Sequence, residues 1–478
     1  MVSAEWESAG HVPKQATGLV LITLSLLNVF VTSAGLAVAK LTPERRLAPS
    51  PPSAAERLAV RTAVTRPPAG SGAPMPAAQA LSRRLTPVLT GAGTRIGAVV
   101  TDAATRRVLF AADADRPATP ASTTKLVTSV AALDTLGPTH RITTRTVRGA
   151  GGGVVLVGGG DPTLTARPPR PSGPGDPGAG RPVYASLADL ARQTAAALKA
   201  EGVRRVRVDH DVSAYQGPRT ARGWKPNYLP DGEVAPVSAL TVDEGRIAPG
   251  DPTENKRVAD PPAAATKAFA RMLTREGVEA RPGRAVTAPA GAAELGAVRS
   301  PTAAELVEHL MTRSDNDVAE AMARQVAIKL GRPGSSDEAA RAVTEVLARL
   351  GVTGGVLVND GSGLSTANRI TPAALAVLVS VAASPEHPHL RAAITGMPVA
   401  GFSGTLNAPR YTVPASRAGA GVVRAKTGTL AGVSTLAGIA HDADGRTLAF
   451  AFMAGDGTGP VDPGTLDRLA AAVASCGC

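Results

Sequence analysis

The stretch ATPASTTKLVTSVAAL, Ala118 to Leu133, carries a serine three residues before a lysine at the head of an apolar run. Serine is a poor nucleophile unless a neighbouring base takes its proton. A lysine amine can be that base once burial and nearby positive charge lower its pKa. At helical spacing, Ser122 and Lys125 face the same way. Two further patterns follow: Ser314-Asp315-Asn316 and Lys426-Thr427-Gly428. S-x-x-K, S-x-N and K-T-G each occur once in the chain, in that order. Alone, the first reads as a capped helix with a surface lysine. Found together and in this order, the three are poorly explained as accidents of composition.

Each pattern falls in an element suited to its task. Pro120 suits a helix entry and Gly137-Pro138 a helix end. Leu126, Val130 and Leu133 make one apolar stripe that Val127 and Ala131 widen, so this helix should be buried on most sides. The run from Ser300 to Gly331 has a strong helical period, with Ser300 as cap and Pro301 at the first position. That period breaks at Ser314–Asn316, which predicts a turn between two helices. Near the end, GVVRAKTGTL, GVSTLAGIAH and RTLAFAFMAG read as three strands, the last two joined by a hairpin at Asp442–Gly445. Lys426, Thr427 and Gly428 then lie on a strand. Upstream, TRIGAVVTDAATRRVLFAADAD gives two short strands and a turn. Residues 150–296 change texture, with glycine turns, helices and strands. They read as an inserted α/β domain in which Arg167–Pro182 is a loop.

The trio is the active-site set shared by penicillin-binding proteins and serine β-lactamases. With VGGGDPTL, APVSALTVDEGR, NDGSGLSTANRITP and RAKTGTLAGVSTLAGIA, the chain from about residue 80 resembles the D-alanyl-D-alanine carboxypeptidases/endopeptidases of the class C low-molecular-mass penicillin-binding type. The resemblance implies an α/β (α+β) fold: a penicillin-binding/serine β-lactamase-like transpeptidase domain, an antiparallel sheet flanked by helices, with the smaller α/β domain inserted. It implies a serine DD-peptidase acting on the D-Ala-D-Ala end of peptidoglycan stem peptides, and on D-Ala cross-links, with β-lactam antibiotics as inhibitors. Residue by residue, it makes Ser122 the nucleophile and Lys125 the general base. Ser314 relays a proton toward the leaving amine, Asn316 donates to the substrate amide, and Lys426 adds positive charge beside Ser314. Thr427 and Thr429, flanking Gly428, bind the terminal carboxylate. The backbone N–H groups of Ser122 and Thr429 form the oxyanion hole. Family members often carry arginine where this chain has Thr366, and some an acidic residue where it has Asn227. Those departures touch substrate side-chain preference.

Other candidates take structural readings. Asp315 reads as a turn-stabilising residue. Asp360–Ser365, DGSGLS, reads as a loop near the site, and GGGDPTL as a glycine turn at a domain junction. His309 and His441 read as surface residues, and the histidine spacing suggests no metal site. No cofactor is implied. A β-lactamase is disfavoured because 192 residues separate Ser122 from Ser314. The intact trio speaks against a non-catalytic wall-binding protein. The missing elbow motif speaks against a Ser-His-Asp hydrolase.

The 478 residues exceed one ordinary core, so two or more domains are expected. Aromatics are 3% of the chain, so its cores must be built from Ala, Val and Leu. Net charge is +12, without long like-charge runs or aromatics for base stacking, which argues against nucleic acid and fits either attraction to an anionic membrane or cell-wall polymer or surface arginines that keep the protein soluble. Cys476 and Cys478 make no disulfide framework. Gly18–Ala39 is uncharged over about 22 residues, long enough for a bilayer, and ends in Ala37-Val38-Ala39, a plausible cleavage site. Residues 1–40 are thus expected to be a signal peptide or membrane anchor and 41–78 a Pro/Ala-rich linker. The catalytic domain, 79–149 and 297–478, would lie outside the cytoplasm, at the bacterial cell envelope.

Overall fold

The structure, a computed structural model, describes residues 73–168, 183–251 and 253–477. The expected signal or anchor, most of the linker, and Cys478 lie outside the described residues. Among the described residues no helix is long and apolar enough to cross a membrane.

Helix α1 (Ala78–Thr90) precedes a hairpin of β1 (Ile96–Asp102) and β2 (Val108–Ala112). A single 3-10 turn, Ala121–Thr123, opens α2 (Thr124–Leu136). The chain then builds a second unit from β3 (Arg141–Arg148), β4 (Val154–Val157), α3 (Leu187–Ala200), β5 (Arg205–Asp211), α4 (Pro261–Arg275), β6 (Glu279–Ala285) and β7 (Glu294–Thr302). It returns through α5 (Ala303–Arg313), α6 (Asn316–Lys329) and α7 (Ser336–Arg349). A small pair, β8 (Val356–Leu357) and β9 (Arg369–Ile370), precedes α8 (Pro372–Ala383) and the one-turn α9 (Ala392–Thr395). Strands β10 (Val423–Leu430), β11 (Val433–His441) and β12 (Thr447–Ala454) and helix α10 (Pro463–Ala474) finish the fold.

The main sheet has the order β10-β11-β12-β1-β2 and is antiparallel throughout. Its central strands are buried on both faces, which is why they read as continuous apolar runs rather than alternating ones. On one face α2, α5, α6, α7 and α8 share a core that includes Leu126, Leu133, Leu310, Val326 and Leu375. On the other, α1 and α10 bring Leu81, Leu85, Leu466 and Leu469 onto Phe450 and Phe452, whose rings stack 5.0 Å apart. Small residues in α2 and α6 let these helices bury their whole circumference. Residues 124–133 of α2 and 317–327 of α6 are buried without a break.

The second sheet, β6-β5-β4-β3-β7, is mixed: β3 pairs antiparallel with β4 and β7, while β4-β5 and β5-β6 are parallel. Helices α3 and α4 cover it with Leu190, Leu198, Phe269 and Leu273. The expected limits of 150 and 296 fall inside this sheet. β3 begins at Arg141 and pairs with β7 as far as Thr302. The physical reason is that β3 is an interior strand whose backbone N–H and C=O groups on both edges need partners, which β4 and β7 supply. The expected cap at Ser300 is also corrected. Ser300 and Pro301 belong to β7, and α5 starts two residues later under Thr302, whose side chain and that of Glu305 make a reciprocal capping box.

Candidate active site

Ser122 sits in the 3-10 turn ahead of α2, held by backbone rather than by its own side chain. Ala121 has a φ of 47°, a left-handed value uncommon for a residue with a Cβ. Two glycines crowd this turn. A Cβ on Gly363, itself at φ 87°, would lie 1.9 Å from the Ala121 carbonyl oxygen. One on Gly428 would lie 2.9 Å from Ser122 N and 2.7 Å from the Pro120 carbonyl oxygen. The K-T-G strand can approach the serine only because Gly428 has no side chain. The Thr435 hydroxyl, on β11 opposite Gly428, ties the same turn by donating to Pro120 O at 2.8 Å.

Lys125 is fully buried one turn along. Its Nζ lies 2.9 Å from Ser122 Oγ, 2.7 Å from Asn316 Oδ1 and 2.7 Å from the Ser362 carbonyl oxygen. The Asn316 amide orientation is fixed because its Nδ2 donates to the Glu233 carbonyl at 2.7 Å. Asn316 Oδ1 and Ser362 O can only accept. They therefore take the two N–H bonds of a neutral amine and leave its lone pair for the Ser122 hydroxyl. Burial lowers the Lys125 pKa to about 8, against the opposing charges of Asp360, Asp315, Glu320 and Asp317.

Lys426, also fully buried, donates to Ser314 Oγ at 2.8 Å and to the Thr427 carbonyl at 2.7 Å. Burial, and then the charge of Lys125, pushes it well below the ordinary lysine range. The two amines compete for charge, so a proton on one favours the neutral form of the other.

The predicted inter-helix turn is present. Ser314 caps α5 in the left-handed region, φ 59°, and Asp315 caps α6 by accepting from Val318 N at 2.9 Å. Asp315 does more than stabilise the turn. His309 Nε2 lies 3.1 Å from its Oδ2, and His309 Nδ1 lies 3.2 Å from the Tyr184 hydroxyl. Burial raises the Asp315 carboxyl, but the hydrogen bond and charge of His309 prevail and hold it well below the carboxylate range. Glu244 is raised by burial and by Asp315. Burial and Asp315 push Asp317 up to about 8, although Arg257 lies 3.4 Å away and Ala235 N donates to it at 2.9 Å. His309 is thus a half-buried member of this network, correcting its reading as a surface residue. Glu244, His309 and Asp315 could reach one ion, their ligand atoms lying within 4.8 Å of one another. His309 is already occupied on both nitrogens, and Arg246 and Arg257 lie 3.0 and 3.5 Å from Glu244. That compensated set reads as a hydrogen-bond network.

Opposite it, the DGSGLS loop is wound about Asp360. The Asp360 carboxylate accepts from Gly363 N, Ser365 N, Ser362 Oγ, Asn368 Nδ2 and, across from the inserted domain, Trp224 Nε1 at 2.8 Å. On β10, Thr427 is buried and its hydroxyl lies 2.7 Å from that of Thr405, while Thr429 is exposed. The sequence reading brought together Ser122, Lys125, Ser314, Asn316, Lys426, Thr427 and Gly428. It missed the carbonyls of Ser362 and Glu233, which leave no side-chain signal, and Thr405.

An antiparallel sheet flanked by helices, with a serine hydroxyl against a buried lysine amine and a second lysine on a neighbouring serine, defines a serine acyl-transfer enzyme of the penicillin-binding class. The chain belongs to the D-Ala-D-Ala carboxypeptidase 3 (S13) family, which it matches over residues 78–256 and 251–474. It is a serine-type D-Ala-D-Ala carboxypeptidase, a hydrolase. It is 38% identical to carboxypeptidase Rv3627c of Mycobacterium tuberculosis over 389 residues, covering 79% of this chain and 80% of that protein. It is 37% identical to carboxypeptidase DacB of Mycolicibacterium smegmatis over 489 residues, covering 100% of both. In fold it is similar to penicillin binding protein 4 of Haemophilus influenzae, with a TM-score of 0.65 at 20% identity over 83% of this chain and 98% of that one. The same Haemophilus protein has been solved in complex with a β-lactam, and that structure matches with a TM-score of 0.61.

Proposed function

We propose that this enzyme cleaves the terminal D-Ala-D-Ala bond of peptidoglycan stem peptides, and D-Ala cross-links, through an acyl-enzyme on Ser122. The observation that carries the proposal is the amine of Lys125, 2.9 Å from the serine oxygen with both other partners acceptors. Ser122 Oγ attacks the carbonyl carbon of the penultimate D-Ala as its proton passes to Lys125 Nζ. The carbonyl electron pair moves to oxygen, facing the N–H groups of Ser122 and Thr429. Collapse of that intermediate breaks the C–N bond, and the leaving amine receives through Ser314, the group next to Lys426, the proton that Lys125 accepted, which returns Lys125 to its neutral form. Water then hydrolyses the ester and regenerates Ser122. Thr427 and Thr429 bind the terminal carboxylate, and Asn316 offers its remaining N–H to the substrate amide.

β-Lactams would acylate the same oxygen, as the β-lactam complex of the Haemophilus fold relative suggests by analogy. The uncharged run at residues 18–39 supports action on the outer face of the cytoplasmic membrane, or beyond it after cleavage. Mass spectrometry after exposure to penicillin tests the nucleophile. The mass of one penicilloyl group should appear on the peptide containing Ser122 and be absent from S122A, which should also release no D-Ala. Labelling that persists in a folded S122A would move the nucleophile elsewhere, and rapid penicilloate release would favour a β-lactamase.

A further inference from the structure

Helix α6 is buried all round, yet one of its faces carries Asn316, Glu320 and Arg324 at successive turns. Asn316 touches the Lys125 amine directly. Glu320 does not, but its Oε1 accepts from Gly361 N and Ser362 N, each at 2.9 Å. The carbonyl of that same Ser362 receives the second N–H of Lys125. Thr128, one turn past Lys125 on α2, donates to the Gly361 carbonyl at 2.7 Å and closes the frame. The loop residues 361–362 are thus suspended between the helix that bears the base and the helix that bears Asn316.

The charge is expensive. Glu320 and Arg324 are 1% and 2% exposed, paired at 2.9 Å. Arg324 Nη2 has no hydrogen-bond partner, and the guanidinium stands 5.7 Å over the Tyr215 ring. Replacing such a pair by apolar residues is often neutral or stabilising. A packing role alone therefore does not explain it. What Glu320 alone supplies is one oxygen that can accept from two adjacent backbone N–H groups, with Arg324 balancing the charge.

We infer that Glu320 is a positioning residue for the general base: it fixes the 361–362 backbone so that the Ser362 carbonyl holds the Lys125 amine with its lone pair on Ser122. The inference rests on Lys125 acting as base. Two full-chain double variants separate positioning from charge and packing. E320Q/R324M removes both charges and keeps an acceptor for the loop, whereas E320L/R324M removes the acceptor as well. In penicillin acylation, E320L/R324M should have an acylation constant about tenfold or more below E320Q/R324M, since small misplacements of reacting groups cost that much. The dissociation constant before acylation should be unchanged, and both melting temperatures should agree within a few degrees. Equal acylation constants would overturn the inference. If E320L/R324M does not fold, E320D, which keeps the charge and Arg324 but withdraws the acceptor by its shorter side chain, is read against wild type with the same criteria. Near-normal acylation by K125A would instead overturn the role of Lys125, so the two failures are distinguishable.

Discussion

The Lys125 amine is gripped from two sides, and the two grips have different owners. On one side the acceptor is the Ser362 carbonyl, fixed by Glu320 and Asp360 from the catalytic domain. On the other it is Asn316 Oδ1, and there the inserted domain does the aiming. Glu233 O orients the amide, Ala235 N and Arg257 hold Asp317, and Tyr184 and Glu244 reach Asp315 through His309 or directly. The insert's own sheet takes no part in this. It closes its core with α3 and α4 and leaves β6 largely exposed, while the segment between β5 and α4 reaches the catalytic turn. An inserted domain can thus complete an active site through its connections while its core serves only to anchor them.

The largest effect should come from the group both grips serve. K125A should lower the penicillin acylation constant by about a thousandfold, within the range for loss of a positioned acid–base group. Stopped-flow measurement with a fluorescent penicillin checks this, and a loss below tenfold would mean that another base acts on Ser122.

Next comes the insert's grip. The Arg257 side chain is 5% exposed and lies 3.5 Å from Glu244 and 3.4 Å from Asp317, while it also donates to the carbonyls of Glu244 and Gly232. Removing one partner of a buried ion pair typically costs about 3–5 kcal/mol. R257M should therefore lower the melting temperature and, by loosening residues 315–317, cut acylation about ten- to a hundredfold. The pH dependence has a definite sign. The folded pKa of Asp317, about 8, lies above its ordinary 3.8. Between those values the folded state binds more protons, so this group's contribution to stability falls as pH rises from about 4 to 8. Without Arg257, whose charge lowers this pKa, the same fall should extend to higher pH at an unchanged slope. Thermal unfolding of R257M from pH 5 to 9 checks it, and parallel curves for wild type and variant would show that Arg257 does not govern Asp317.

A third measurement reads the amine itself. With the Lys125 pKa near 8, the neutral fraction rises about tenfold between pH 7 and pH 9. The second-order acylation constant should rise by the same factor and level off above. A flat profile across that interval would place the lysine's proton loss elsewhere.

These contrasts also explain what could be read in advance. The three motifs were legible because each is a local run of side chains in an element that its own period reveals. The Thr302-x-x-Glu305 capping signature was equally local, and Ser300 and Pro301 masked it by imitating a helix start. The oxygens that aim Lys125 and Asn316 are main-chain atoms from residues 362 and 233, far apart in sequence, so no side-chain pattern announces them. Glu320 and Arg324 look like an ordinary i, i+4 surface pair. Only the burial of α6 on every side changes their meaning. His309 misled for a similar reason: its partner Asp315 is six residues on, across a helix end, and Tyr184 comes from the other domain.

The smallest expected effect lies outside both grips. The hydroxyls of Thr405 and Thr427 lie 2.7 Å apart, and Thr405 belongs to neither the Ser362 side nor the Asn316 side. If Thr427 binds the substrate carboxylate, Thr405 only fixes the direction in which its hydroxyl points. A single neutral hydrogen bond contributes about 0.5–1.5 kcal/mol, or roughly a two- to twelvefold effect. T405V keeps the shape and removes the bond, so KM for a D-Ala-D-Ala peptide should rise within that range while kcat stays near wild type. A fall in kcat with unchanged KM would mean that the strand bearing Thr427 shares in aiming the base, and the separation between holding the amine and holding the substrate would be lost.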